Sequence, residues 1–493
     1  MSSSKSSYHQ IVKATSIFGG VQIFNILISI IKSKFVAVLL GPTGMGIMGL
    51  LSSTIGLISG LTNFGLSTSA VRNVAEADGT GDKNRISLII TVLRRWVWLT
   101  GLFGMIVTII TAPLLSKITF GNYNYSILFI WVSVSLLFTQ LSSGQMIVLQ
   151  GLRKLQFLAK ANLIGSILGL FFNIPLFYLF GTQGIVPAII ISSFSTFISS
   201  WFFFHKINLE KIKVNLRTTL SEGKNMFIMG FIISLSGLIT LGVSYLIRIF
   251  ISNQGGVEQV GLYNAGFVII NNYVGLIFTA MGTDYYPRLS AVAYSNELCK
   301  QFINEQAEIA VLIMAPFLMI FLVFINYIII ILYSKNFLAI NEMIHWAALG
   351  MFFKAVSWAI AFVLLAKGES RLFFWNELLA NVYILLFNII GYKLFGLEGL
   401  GISFVFAYLF YLIQVFYISK LKYKFSFNKD FIYIYLFQLI LAIICFIETN
   451  IIPKPYSYLI GCILIFISFG YSYIELDKRI NIKSIGAFIR KKF

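Results

Sequence analysis

Apolar runs of about 20 residues with almost no charge recur along the whole of this 493-residue chain. That is the length a helix needs to cross the hydrocarbon core of a bilayer. Because no water there can satisfy the backbone, such runs must hydrogen-bond to themselves as helices. The chain is 58% hydrophobic and 11% charged, whereas a soluble domain carries about 25% charged residues. Glycine, serine, threonine and asparagine are scattered through the runs, as close packing of helices in a bundle requires. The fold class expected is an all-α polytopic membrane protein.

Spans are expected near 14–40, 44–71, 92–116, 125–149, 157–180 and 184–204, then near 225–251, 260–283, 306–333, 339–366, 372–395 and 399–419. Two more follow near 431–452 and 456–475, about fourteen in all. The polar start, Met1 to Gln10, leads into a long, lysine-bearing run without an Ala-x-Ala site, so it reads as a retained first span rather than a cleaved signal. The net charge of +19 would suggest nucleic acid in a soluble protein, but here it has a simpler source. With the N-terminus inside, the outer loops hold four basic residues, Lys117, Lys335, Lys393 and Lys454, and four more lie within spans. The other 29 of the 37 fall on the inner side, so both termini are expected in the cytoplasm. Cys299, Cys445 and Cys462 are too dispersed for a disulfide framework or a zinc site.

The chain also repeats itself at a shift of 215. Phe172-Asn173-Ile174 recurs as Phe387-Asn388-Ile389, and Leu179-Phe180-Gly181 as Leu394-Phe395-Gly396. Gly46 falls on Gly261 and Gly184 on Gly399. Six spans per repeat is an even number, so both copies share one orientation. Two parallel lobes around a central cavity are expected, residues 1–215 and 216–425, with 426–493 adding two helices and a basic tail.

The stretch Ile17 to Leu51 holds an apolar helix, a Gly41-Pro42 turn and a second apolar helix. Lys32 and Lys34 sit about 9 and 7 residues before that turn, ~10–14 Å below the helix end. A lysine near the centre of a lipid-embedded helix costs ~2.5–3.5 kcal/mol on insertion scales, so a pair kept there points to water or an anion. Shifted by 215, they bracket Arg248 in the seventh span. Lys354 lies mid-way along the tenth, where snorkelling to the interface is hardest. Arg72 and Arg288 end the second and eighth spans at nearly matched positions and are candidates for a cytoplasmic gate, with ordinary interface anchors as the alternative. Asp284 and Glu377, near span ends, are candidates for ion coupling; solvated ends are the alternative. Pro175 and Pro316 should bend their helices, and His345 reads as a packed residue. No nucleotide loop, catalytic triad or metal-ligand cluster occurs, so no catalytic residue, cofactor or metal is expected.

Leu39-Leu40-Gly41-Pro42-Thr43-Gly44-Met45-Gly46, after the lysine-bearing span, resembles the opening of bacterial Wzx-type polysaccharide flippases. Val260-Gly261-Leu262-Tyr263-Asn264-Ala265, followed by Pro287-Arg288-Leu289-Ser290, is similar to the matching eighth-span pattern. These proteins belong to the multidrug/oligosaccharidyl-lipid/polysaccharide exporter (MOP) superfamily, and the resemblance covers roughly residues 10–425. It implies a flippase, not an enzyme, that moves undecaprenyl-pyrophosphate-linked oligosaccharide from the cytoplasmic to the outer leaflet of the bacterial inner membrane by alternating access. Lys32, Lys34, Arg248 and Lys354 would then hold the pyrophosphate, arginine gripping oxygens through its fork and lysine as a point charge. The partners implied are the lipid-linked glycan, membrane lipid, and the polysaccharide polymerase with its chain-length machinery; no nucleic acid is implied, and a monomer is expected. Two alternatives stay open. A multidrug antiporter of the same superfamily would need intramembrane carboxylates, and a glycan polymerase or ligase would need a large external loop.

Overall fold

The computed structural model describes residues 2–207 and 212–480. Among them are thirteen α-helices and no strand: α1 Ser2–Thr62, α2 Leu66–Thr80, α3 Lys83–Phe120, α4 Ser126–Gly151, α5 Leu155–Phe180, α6 Ile185–His205, α7 Leu216–Val268, α8 Leu276–Ala291, α9 Asn296–Leu332, α10 Asn341–Ala366, α11 Ser370–Tyr423, α12 Lys429–Ile451 and α13 Tyr456–Ile480. Among the described residues ten stretches are long and apolar enough to cross a membrane. Two compact units emerge, Met1–Gly261 and Leu262–Phe493.

In the first unit α1 is broken at Gly41, whose φ of 65° and ψ of −169° lie outside helical space. Glycine reaches that region without a Cβ clash, and Pro42 then starts the next helical segment with its φ already set. In α7 the same break occurs at Gly256 (φ 83°, ψ 172°), 215 residues later. Gly181 and Gly396 form a second such pair, at φ 55°, ψ −132° and φ 59°, ψ −134°. The 215-residue repeat is therefore written into the backbone as well as the side chains.

Beyond the paired breaks, α1 and α7 cross at van der Waals contact. A Cβ on Gly46 would sit 1.9 Å from the Val257 carbonyl oxygen, and one on Gly261 would sit 1.8 Å from that of Pro42. The contact is reciprocal under the repeat, as two-fold-related surfaces require, and only hydrogen fits on either side. Elsewhere in this unit, Leu66, Ala70 and Val74 of α2 pack with Leu93 and Val97 of α3 and Val148 of α4. The start of α3 is tied to α7 by Arg85–Glu222 at 2.6 Å and by Arg95 Nη1 donating to Thr219 Oγ1 at 2.7 Å.

In the second unit, Tyr285, Val311, Val356, Ile360 and Phe431 belong to one buried core. The last two helices dock on α9: a Cβ on Gly461 would meet Val323 at 2.6 Å, and Arg479 pairs with Glu308 at 2.6 Å. Pro175 lies inside α5 with no helical break recorded there; in α9 the non-helical residue is Phe324, eight positions past Pro316. One turn of π-helix, Ile269–Val274, precedes α8.

Candidate functional site

Lys32 and Lys34 are half-buried on α1. Among the described residues Lys32 makes no hydrogen bond or ion pair. Arg248, also half-buried, donates from Nη1 to the Ser244 carbonyl at 2.9 Å and to the Ser244 hydroxyl one turn back along α7. The α1–α7 crossing gives a common origin for their depth: all three cations lie ~10–14 Å of helix from the paired breaks at Gly41 and Gly256. All three belong to the first unit, at similar lengths of helix from the crossing.

In the second unit Lys354 is half-buried midway along α10 and lies between Asn271 and two rings. Its Nζ donates to Asn271 Oδ1 at 2.9 Å and stands 5.0 Å from the Tyr408 ring centroid and 5.6 Å from that of Phe404. Aromatic faces stabilise a cation without neutralising it, and an ammonium with one of its three donors used keeps two for a ligand. Asn271 belongs to the π-helical turn, a departure from α-geometry often found at functional positions. Neither Asn271 nor Tyr408 carries a sequence signal that separates it from packing residues.

Glu377 is not the solvated span end that position alone suggests. It is half-buried: Oε1 accepts from the Tyr411 hydroxyl and from Asn376 Nδ2 at 3.3 Å, while Gln414 Nε2 donates to Asn376 Oδ1 at 2.7 Å. The side chain of Asp284 lies outside the described residues. Arg72 on α2 and Arg288 on α8 are both exposed, the latter stacked 5.2 Å over Phe302. His345 is buried, with Nε2 3.0 Å from the Leu322 carbonyl, as a packed residue should be. Among the described residues no three His, Cys, Asp or Glu side chains are grouped so as to hold a metal ion.

The family described as polysaccharide biosynthesis protein matches residues 35–342, more than half of the chain. The sequence is 24% identical over 390 residues to a protein of Shigella flexneri named as an O-antigen transporter, covering 75% of this chain and 89% of that one. It is 20% identical over 366 residues to the lipid III flippase of Escherichia coli K12, covering 73% and 86%. Among solved structures, the lipid II flippase MurJ in an inward closed conformation aligns with a TM-score of 0.67 at 14% identity, over 95% of this chain and 99% of that one. An inward-facing MATE-family multidrug resistance transporter of the MOP superfamily aligns at 0.68 and 16% identity, over 81% and 94%. These two likenesses establish the fold, and the family match establishes kinship: this chain belongs to the polysaccharide biosynthesis protein family.

Proposed function

We propose that this protein moves an undecaprenyl-pyrophosphate-linked oligosaccharide from the cytoplasmic to the outer leaflet of the bacterial inner membrane by alternating access. The observation that carries the reading is a pair of intramembrane lysines, Lys32 and Lys354, that no carboxylate balances among the described residues. Lys32 is without a hydrogen-bond or ion-pair partner among the described residues, and Lys354 is held by an amide and two rings. A cation kept in a span without a neutralising carboxylate is costly unless an anion or water meets it, and a lipid pyrophosphate is such an anion. Lys32, Lys34 and Arg248 supply charge at one depth of the first unit, and Lys354 supplies it in the second. The relatives named as an O-antigen transporter and a lipid III flippase support a lipid-linked glycan as the substrate class.

Of the ten span candidates, four are interrupted by the glycines Gly41, Gly181, Gly256 and Gly396. Counting two crossings for each of these four yields fourteen, with both termini cytoplasmic by the distribution of Lys and Arg. An anion leaving a negative cytoplasm moves downhill by ~2.3 kcal/mol per charge per 100 mV. Glu377 and Asp284 are the candidates for ion coupling, and Arg72 and Arg288 for a cytoplasmic gate.

The test is Lys32→Ala combined with Arg248→Ala in a strain lacking the native gene. Surface polysaccharide should disappear while the membrane level of the protein stays unchanged. Normal polysaccharide at normal expression removes the cation site, and transport in vesicles that ignores both membrane potential and ion gradients removes the driven mechanism.

A further inference from the structure

A second polar surface lies in the first unit, and it contains no charge. Helices α4, α5 and α6 enclose a groove of about 420 Å³ lined by Thr139, Ser143, Gln150, Asn162, Ser193 and Thr196, among others. From Thr139 to Gln150 it follows α4 for ~16 Å, from near the helix end toward mid-helix. Two glycines on α5 bring α6 close enough to form the groove wall. A Cβ on Gly165 would sit 3.0 Å from the Thr196 Cα, and one on Gly169 would sit 3.3 Å from the Ser192 hydroxyl.

Two kinds of polar group occur here, and they behave differently. Some are packing glue: the Ser200 hydroxyl donates to Gln145 Oε1 at 2.5 Å, and Ser192 donates to Asn173 Oδ1 at 3.0 Å. Others face the groove without engagement. Among the described residues the side chains of Ser143, Gln150 and Asn162 make no hydrogen bond at all. Ser193 and Thr196 donate to carbonyls one turn back on α6, Ile189 and Ser192 at 2.9 Å; the Ser193 oxygen accepts from Thr139 Oγ1 at 3.5 Å, and each hydroxyl oxygen keeps a lone pair able to accept. Moving an amide from water into hydrocarbon without a hydrogen-bond partner is strongly unfavourable. Ser143 and Asn162, within their span helices, therefore belong against water or a ligand, and Gln150 stands exposed at the α4 end of the same groove.

We propose that this groove is the subsite for the neutral sugar residues of the transported glycan; the inference rests on the flippase reading above and adds to it a place for the sugars. The chemistry matches in kind. A sugar hydroxyl both donates and accepts, and the groove presents free amide N–H donors beside hydroxyl and amide oxygens. A pyrophosphate finds no cation in this lining, so the groove and the cation site recognise different ends of one molecule. A surface built to hydrogen-bond hydroxyls discriminates against a ligand that lacks them, because its polar groups are then left unpaired.

The experiment uses the purified full-length chain and two probes: undecaprenyl pyrophosphate carrying the source strain's own repeat unit, and bare undecaprenyl pyrophosphate. The wild type should bind the glycosylated probe at least 10-fold more tightly than the bare one. Gln150→Leu combined with Asn162→Leu should erase that difference and leave affinity for the bare probe unchanged. If the leucine pair fails to fold, Gln150→Ala with Asn162→Ala makes the same comparison with less bulk. Equal affinity of the wild type for both probes, or a preference that survives the double substitution, overturns the proposal while leaving the cation site standing. Failure of the wild type to bind either probe overturns the flippase reading and this inference with it.

Discussion

Replacing Lys354 with methionine separates function from stability, because the two should move in different directions. The ammonium contributes one charge-assisted hydrogen bond to Asn271, worth ~1.5–3 kcal/mol. It also has two cation–π contacts, at 5.0 and 5.6 Å, worth ~0.5–1 kcal/mol each in a partly exposed setting. Against these stands the ~2.5–3.5 kcal/mol cost of keeping a lysine at mid-span. The contributions largely cancel, so Lys354→Met should destabilise the fold by no more than ~2.5 kcal/mol and stabilise it by no more than ~1 kcal/mol. Ligand binding has no such offset. The two ammonium donors left by Asn271 would make charge-assisted bonds to phosphate oxygens, and losing even one costs ~1.5–3 kcal/mol, about 10- to 150-fold in affinity. The assay is binding of undecaprenyl pyrophosphate to the detergent-solubilised protein, read beside its melting temperature and beside surface polysaccharide in a deletion strain. Lys354→Arg, which keeps the charge among the same rings, should retain part of the affinity. Wild-type affinity in Lys354→Met, or collapse of the fold, refutes the reasoning: the lysine would then be idle or structural.

Gly261→Leu should abolish transport and lower the melting temperature, since even a Cβ would lie 1.8 Å from the Pro42 oxygen, and overpacking typically costs ~1–3 kcal/mol. Arg479→Ala leaves Glu308, whose side chain is 9% exposed, without its 2.6 Å partner; a loss of ~1–2 kcal/mol in chemical denaturation is expected, discounted from the ~3–5 kcal/mol of a fully buried pair because Arg479 is partly solvated. Glu377→Gln keeps an acceptor for the Tyr411 hydroxyl, so the fold should survive while reconstituted transport loses its response to an imposed ion gradient. An unchanged response removes Glu377 from coupling.

The repeat was the most informative feature of the bare sequence. Gly46 and Gly261 stood out only as matched letters at one shift, yet they mark the place where two helices touch with no room for a side chain. Lys354 was legible as an anomaly of position, because a cation midway through an apolar run is unusual whatever surrounds it. Its surroundings were not legible: Asn271 and Tyr408 lie 83 residues before it and 54 after it, in runs full of similar residues. The surroundings of Glu377, a candidate for ion coupling by position, were hidden for the same reason. Its partner Tyr411 is 34 residues away, and distance from a span end does not reveal that a tyrosine and an asparagine close over the carboxylate. The hydroxyl groove was invisible as a group, since Ser143, Gln150 and Asn162 each resemble ordinary packing residues until their lack of partners is seen.

Length and apolarity along the chain determined that it is a bundle of membrane-crossing helices, because hydrocarbon requires each run to satisfy its own backbone. The spacing of glycine determined where the backbone breaks fall, and the position of charge singled out which cations to test. Which polar groups are spent on each other and which remain open was decided only by the tertiary structure. Hydrogen bonding depends on distances of about 3 Å between atoms, and those distances are set by the packing of helices that are remote from one another in sequence.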